Sequence, residues 1–177
     1  QDLLLALGVK SKTQFELADL RYGKVIIMTD ADVDGAHIAA LLMTFFYQEL
    51  PQLIESGKLF LAQPPLYRMM QGNRTFYAQD DAHREKIMNN EFNQKTKVDV
   101  SRFKGLGEMP PSQLKETTMN PKTRRLIKVY LPKRDNQGAD KGRDADRLVT
   151  TLMGKKPELR FSYIREHAHD VLSQLDI

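Results

Sequence analysis

Apolar residues fall along this chain in short runs, separated by polar stretches that carry Gly and Pro. Asp2 to Val9 predicts a helix, because Leu3, Leu4, Leu5 and Leu7 crowd one side and Gly8 supplies a stop. Lys24 to Thr29 (KVIIMT) is a β-branched apolar run bounded by Gly23 and an acidic turn, the pattern of a buried parallel strand. Ala36 to Leu50 predicts an apolar helix that includes Leu41, Leu42, Phe45 and Phe46. Pro51 then marks a kink or a fresh helix start. Lys58 to Ala62 predicts the next strand. Strand, crossover and strand make one βαβ unit, right-handed almost by rule.

The pattern changes style after Gln63-Pro64-Pro65. Leu66 to Met70 and Arg74 to Ala78 flank Gln71-Gly72-Asn73, a hairpin signal. A polar helix is expected from Asp80 to about Asn90, and a strand from Lys97 to Phe103 that ends at the loop Lys104-Gly105-Leu106-Gly107-Glu108. Pro110 and Pro111 stand where a helix begins, leading into Ser112 to Thr118. Arg125 to Leu131 alternates as a strand should. Residues 132–142 read as a polar loop, and two helices follow, at Asp144 to Met153 and Pro157 to Leu175. Nothing repeats internally.

Composition narrows the function classes. The chain has 177 residues, with 41% hydrophobic and 28% charged, as a globular protein of one core or two small lobes would have. The absence of Cys excludes a disulfide scaffold, a thiol nucleophile and a cysteine zinc site, and fits a reducing, cytoplasmic setting. No Ser sits in a Gly-x-Ser-x-Gly elbow. No apolar run nears the roughly 20 residues that span a bilayer, and no signal-peptide pattern opens the chain, so no membrane partner is expected. Residues 1–100 carry 11 Lys and Arg against 13 Asp and Glu, whereas residues 101–177 carry 16 against 10. That basic second part suits a polyanionic partner, and it equally suits a well-solvated surface.

The chemistry concentrates in Asp30-Ala31-Asp32-Val33-Asp34-Gly35, directly after the strand KVIIMT. Three carboxylates in five residues repel one another unless a cation neutralises them. Ligands of open α/β sheets collect beyond the carboxyl ends of strands, and hard oxygen donors there favour Mg²⁺ or Mn²⁺. An EF-hand opens in the same way, but its twelfth position needs Glu and here holds Leu41. A phosphatase of the haloacid dehalogenase type would use a strand-end Asp-x-Asp, although its next motif residue is usually Thr or Val rather than Asp34. A Toprim metal site also ends a strand in Asp-x-Asp. The bland reading is an acidic helix start, with Asp34 as the N-cap.

Longer motifs add a resemblance. IIMTDADVDGAHI (Ile26 to Ile38), QPPLYR (Gln63 to Arg68), RFKGLGEM (Arg102 to Met109) and KETTMNPKTRRL (Lys115 to Leu126) occur in this order in bacterial type IIA DNA topoisomerases. LMG (Leu152 to Gly154) and RF-x-x-IRE-x-A (Arg160 to Ala168) resemble the end of that family's B subunit. The match covers nearly the whole chain. The short passage between QPPLYR and RFKGLGEM is more similar to topoisomerase IV B subunits than to gyrase B subunits with a large insert there.

The resemblance implies an α/β, Rossmann-like Toprim fold with parallel strands, incomplete on its N-terminal side, in residues 1–70. It implies an α+β tail in residues 71–177. It further implies Mg²⁺-dependent cleavage and religation of double-stranded DNA, with the nucleophilic tyrosine on an A subunit of an A2B2 assembly. ATP would act only through an N-terminal domain that this sequence lacks, and quinolone-type inhibitors would bind at the cleavage complex. Asp30 and Asp32 would be metal ligands and Asp34 a nearby support. The family's metal-binding Glu and its basic Pro-Leu-Arg-Gly-Lys-type segment lie upstream and are absent here. The chain is thus expected to be a piece of a longer one, with weak metal binding and no catalysis alone.

Other residues carry paired readings. His37 would touch the DNA backbone from the helix start, or bond locally. Lys104 has glycines beside it that let backbone approach a phosphate, and the resemblance makes it a DNA contact. Arg68 ends the LYR strand, near a loop that in this family lies beside cleaved DNA. Glu108 reads as a structural hydrogen-bond partner. Lys122, Arg124, Arg125 and Lys128 cannot all face one surface on a strand and read as a solvated face. None of the six Tyr reads as a nucleophile. A non-catalytic DNA- or subunit-docking module using the basic C-terminal part is the alternative function.

Overall fold

In the computed structural model the described residues are 1–10, 12–93, 96–131 and 141–171. The βαβ unit is present. Strand β1 (Val25–Ile27) pairs in parallel with β2 (Leu59–Ala62), and helices α2 (Val33–Glu49) and α3 (Pro51–Glu55) connect them. Strand β6 (Leu126–Lys128) then returns to the free side of β2 and pairs antiparallel, Leu61 opposite Ile127, so the first sheet is mixed in the order β1-β2-β6. The second sheet, β4-β3-β5, is antiparallel throughout: β3 (Tyr67–Gln71) lies between β4 (Arg74–Ala78) and β5 (Asp99–Arg102). Gly72, at φ 58°, turns the β3–β4 hairpin, and no other residue of that two-residue loop has positive φ, as a II′ turn requires.

Local chemistry explains most element ends. Helix α1 (Asp2–Leu7) stops at Gly8, which adopts φ 79° and donates its N–H to the Leu5 carbonyl at 3.1 Å. At Pro51 the chain makes a fresh start rather than a kink: Leu50 leaves the helical region (φ −138°, ψ 54°), as residues before proline prefer, and Pro51 opens α3. Helix α4 (Asp81–Glu91) is capped by Asp80, whose carboxylate accepts the His83 N–H at 2.7 Å.

Several expectations shift. Helix α2 begins at Val33, not Ala36, because the N-cap is Asp32 and not Asp34. It is also not buried all round: Phe46 and Ala39 are in the core, while Val33, Ile38 and Leu41 are exposed. In α1 only Leu7 is buried, and Leu3 and Leu5 face water. The expected helix over 112–118 is one α-turn, α5 (Pro111–Leu114), followed by a π-helical stretch at Lys115–Met119. There the hydroxyls of Thr117 and Thr118 donate to the carbonyls of Gln113 and Leu114, an arrangement that bends or widens helices. Helix α6 (Lys141–Met153) begins three residues early, and α7 (Pro157–Val171) follows; the expected positions 172–175 and the loop 132–140 lie outside the described residues.

Two cores result. One packs Leu7, Val9, Ile27, Phe46, Leu50, Leu53 and Leu59 between the first sheet and its helices. The other gathers Tyr67, Met69, Ala78, Ile87 and Phe92 between the second sheet and α4.

Candidate functional site

The acidic turn leaves the end of β1 and is met by a loop 76 residues further along. That meeting follows from the second sheet. Antiparallel pairing of β3 with β5 continues one step past the strand, where the Phe103 N–H donates to the Leu66 carbonyl at 2.8 Å. The next residues, Lys104 to Glu108, close on themselves: the Lys104 N–H donates to Glu108 Oε2 at 2.8 Å and the Glu108 N–H to the Gly105 carbonyl at 3.2 Å. Glu108 is therefore the structural partner the sequence suggested. The closed loop directs the Leu106 N–H at Asp30 Oδ1, 2.7 Å away.

Two glycines make room for Asp30. A Cβ on Gly105 would sit 3.0 Å from both Cγ and Oδ2 of Asp30. A Cβ on Gly35 would sit 2.1 Å from the Asp30 carbonyl oxygen. Asp32 caps α2 by accepting the Gly35 N–H on Oδ1 at 2.7 Å, and Asp34 lies exposed in the first turn, where a negative charge suits the helix dipole. Among the described residues, neither Asp30 Oδ2 nor Asp32 Oδ2 has a hydrogen-bond partner.

Asp32 and Lys104 line one open groove of roughly 750 Å³, together with Ala31, Val33, Leu66 and Arg102. Arg102 was not singled out from the sequence. Its place in the register, opposite Tyr67, puts its guanidinium 5.9 Å from that ring. His37 is exposed on α2 but does not line the groove. Arg68 lies elsewhere: it is the second residue of β3 rather than its end, and it alternates to the sheet face opposite Tyr67. There Tyr77 donates to Glu116 Oε2 at 3.2 Å. Burial, with the Glu116 charge and hydrogen bond, raises the Tyr77 hydroxyl above its ordinary pKa, and Arg68 opposes the rise. Arg68 Nε is buried and has no hydrogen-bond partner among the described residues.

The donor set fits Mg²⁺ in kind. That ion takes one or two carboxylates and fills its octahedron with water and phosphate oxygens. It is not a complete protein cage, since among the described residues no three His, Asp or Glu side chains come together as a set that could hold a metal.

Comparison with known proteins adds the family. Residues 6–64 match the model of the Toprim domain, and residues 95–165 match that of the DNA gyrase B subunit, carboxyl terminus. The B subunit of DNA topoisomerase 4 from Caulobacter vibrioides is 54% identical over 176 residues, covering 99% of this chain and 24% of that protein. Its counterpart of the same name from Rickettsia conorii is 53% identical over 182 residues, covering 100% of this chain and 26% of its own length. The B subunit of DNA gyrase from Thermotoga maritima is 44% identical over 180 residues, covering 99% and 26%. The chain belongs to the B-subunit family of type IIA DNA topoisomerases.

It spans about a quarter of the length of these relatives. The higher identity to the topoisomerase IV proteins agrees with the short passage between QPPLYR and RFKGLGEM. In this topoisomerase B-subunit chain the Toprim match ends at residue 64, just before the hairpin, while the carboxyl-terminal match contains the loop that reaches back to Asp30. Among the described residues no helix is long and apolar enough to cross a membrane. Leu106 escaped the sequence reading because it acts through its backbone N–H, which any residue but proline would supply.

Proposed function

We propose that this chain is the Mg²⁺-holding Toprim and tail part of a topoisomerase B subunit, most like that of topoisomerase IV. In this reading it supports double-strand DNA cleavage and religation by a tyrosine of an A subunit in an A2B2 assembly. The observation that supports it is Asp30, held at a strand end by the Leu106 N–H and closely approached by Gly105 and Gly35, with one carboxylate oxygen that has no hydrogen bond among the described residues. Asp30 and Asp32 would hold the ion through their Oδ2 atoms, and Asp34 would add negative charge from the first turn of α2. When bound, Mg²⁺ would neutralise phosphate charge and stabilise the oxygen that leaves. The chain's own residues bind and orient: Lys104 and Arg102, beside the groove, offer cations to the DNA backbone, and His37 offers a donor from the exposed start of α2. Arg68 lies opposite Tyr77 on the far face of the second sheet, where its charge lowers the pKa of that hydroxyl, and its assignment to DNA requires DNA backbone that reaches round to that face. In this reading residues 1–70 are the Toprim part, and β6 joins its sheet from the tail.

The test uses the complete B subunit, a matching A subunit, Mg²⁺ and supercoiled plasmid. Asp30→Asn should abolish covalent A-subunit–DNA breaks, a loss of orders of magnitude in rate. If Asp30→Asn cleaves as its parent does, the acidic turn is not the metal site. The basic second part would then be read as a docking module without catalytic chemistry.

A further inference from the structure

We propose that Glu108 is a positioning residue for the cation at Asp30, acting through the Lys104–Glu108 loop without touching the ion; this rests on the metal reading above. The chain of action has three links. First, Glu108 Oε2 accepts the Lys104 N–H at 2.8 Å, tying the two ends of a five-residue loop together. Second, the tied loop fixes the Leu106 N–H at 2.7 Å from Asp30 Oδ1. Third, it lays Gly105 against the same carboxylate, so closely that a Cβ there would stand 3.0 Å from Asp30 Cγ and Oδ2.

These links do different work on Asp30. An aspartate on a turn is free to rotate about both side-chain torsions. The N–H on Oδ1 and Gly105 beside the carboxylate restrict that freedom, and among the described residues Oδ2 is the oxygen without a hydrogen bond. A ligand ordered beforehand loses less entropy when the ion arrives. Glu108 has no other partner in the loop that could replace this tie: the remaining loop bonds run from Glu108 N–H to Gly105 and from Met109 N–H to Leu106, and neither holds Lys104. Lys104 and Glu108 are both exposed, so water would take over the Lys104 N–H once the carboxylate is gone. The loop would then drift, and with it the donor to Asp30.

Glu108 carries a negative charge near an acidic turn, so a direct ligand role is the competing account, and two substitutions separate them. In Glu108→Gln the amide oxygen still accepts the Lys104 N–H while the charge is lost. In Glu108→Ala both are lost. A third variant, Leu106→Pro, deletes the donor to Asp30 at the first position of a helical turn, which accommodates proline, after an extended Gly105 (φ −158°, ψ 172°) that suits the residue before proline.

The experiment titrates Mn²⁺ into the complete B subunit, reading bound ion by electron paramagnetic resonance and following thermal unfolding of the same samples. Glu108→Ala and Leu106→Pro should each weaken Mn²⁺ binding by about tenfold, the lower end for lost supporting contacts at metal sites. Glu108→Gln should stay close to the parent. If Gln weakens binding as much as Ala, Glu108 acts by charge or as a ligand and the proposal is wrong. If Asp30→Asn loses Mn²⁺ while Glu108→Ala and Leu106→Pro keep it, the latch fails and the metal reading stands. If Asp30→Asn keeps full affinity, the metal reading fails and the latch falls with it.

Discussion

Replacing Gly35 with alanine sets two ordinary rules against each other. Gly35 is the third residue of α2, and alanine inside a helix is worth about 1 kcal/mol over glycine. Propensity alone therefore predicts a more stable chain. The surroundings predict the opposite. A Cβ at position 35 would lie 2.1 Å from the Asp30 carbonyl oxygen, 2.8 Å from its carbon and 2.9 Å from its nitrogen, whereas real Cβ atoms essentially never come within 3.0 Å. All three atoms are backbone, so no side-chain rotation relieves the clash. Either the acidic turn or the start of α2 must move.

Overpacking costs roughly 1–3 kcal/mol, and a contact this short against backbone belongs at the upper end. Set against the helix gain, the net loss is about 2 kcal/mol. At roughly 2–4 °C per kcal/mol for a chain of this size, Gly35→Ala should lower the midpoint of thermal unfolding by about 4–8 °C. Because the displaced atoms belong to Asp30, the Leu106 amide should also exchange its proton faster with solvent. Scanning calorimetry and amide exchange on parent and variant measure both. A midpoint that rises by a few degrees would show that the turn yields freely, and the account of a close backbone contact between Gly35 and Asp30 would be wrong.

The double role of Asp32 separates by substitution. Asp32→Asn should keep stability in urea denaturation, because asparagine caps nearly as well, while Asp32→Ala should cost about 1 kcal/mol; both should weaken Mn²⁺ binding. Tyr77 gives an alkaline signature. Its raised pKa means the folded chain holds that proton more tightly than the unfolded one, so its contribution is complete below the ordinary value of 10.0 and is lost as pH rises through and above it. Tyr77→Phe should flatten that alkaline fall in a pH series of unfolding midpoints, and a parent curve already flat above pH 10.0 would contradict the shift. Chelating Mg²⁺ should leave the far-ultraviolet circular dichroism of the protein unchanged; a loss of helical signal would mean the ion builds the turn.

Periodicity made much of the fold legible. The βαβ unit, the Gly72 hairpin, the Gly8 stop and the fresh start at Pro51 each rest on a local rule, and each stands where that rule puts it. What stayed hidden was non-local. The alternation of Arg125 to Leu131 marked a strand but carried no information on its partner, and β6 pairs antiparallel with β2 more than 60 positions away. The strand is shorter than its pattern, Leu126–Lys128, although pairing with β2 runs one residue further, where the Val129 N–H donates to the Leu59 carbonyl at 3.0 Å. Asp32 and Asp34 are chemically equal as caps, and only the path out of β1 chooses Asp32. Arg102 stood inside a motif already noticed, yet its value depends on sharing a groove with Asp32, which needs both sheets.

Three carboxylates within five residues should repel one another, yet this turn is built to carry them before any cation arrives. The Leu106 N–H supports one oxygen of Asp30 and the Gly35 N–H one oxygen of Asp32. Asp34 and Asp32 both sit at the N-terminus of a 17-residue helix, where the dipole favours negative charge. Each stabilising group is a backbone donor, fixed by the fold and unable to leave as a counter-ion would. Half of each ligand is thereby committed to structure and half left for chemistry. The close approach is made at Gly35, whose N–H is the donor to Asp32 and whose missing Cβ leaves room for the Asp30 carbonyl, while Leu106 donates to Asp30 with its side chain in place. The cost of the site therefore falls on Gly35, where a Cβ would meet Asp30 backbone at 2.1 Å, more than on Gly105, where it would meet only the Asp30 side chain at 3.0 Å.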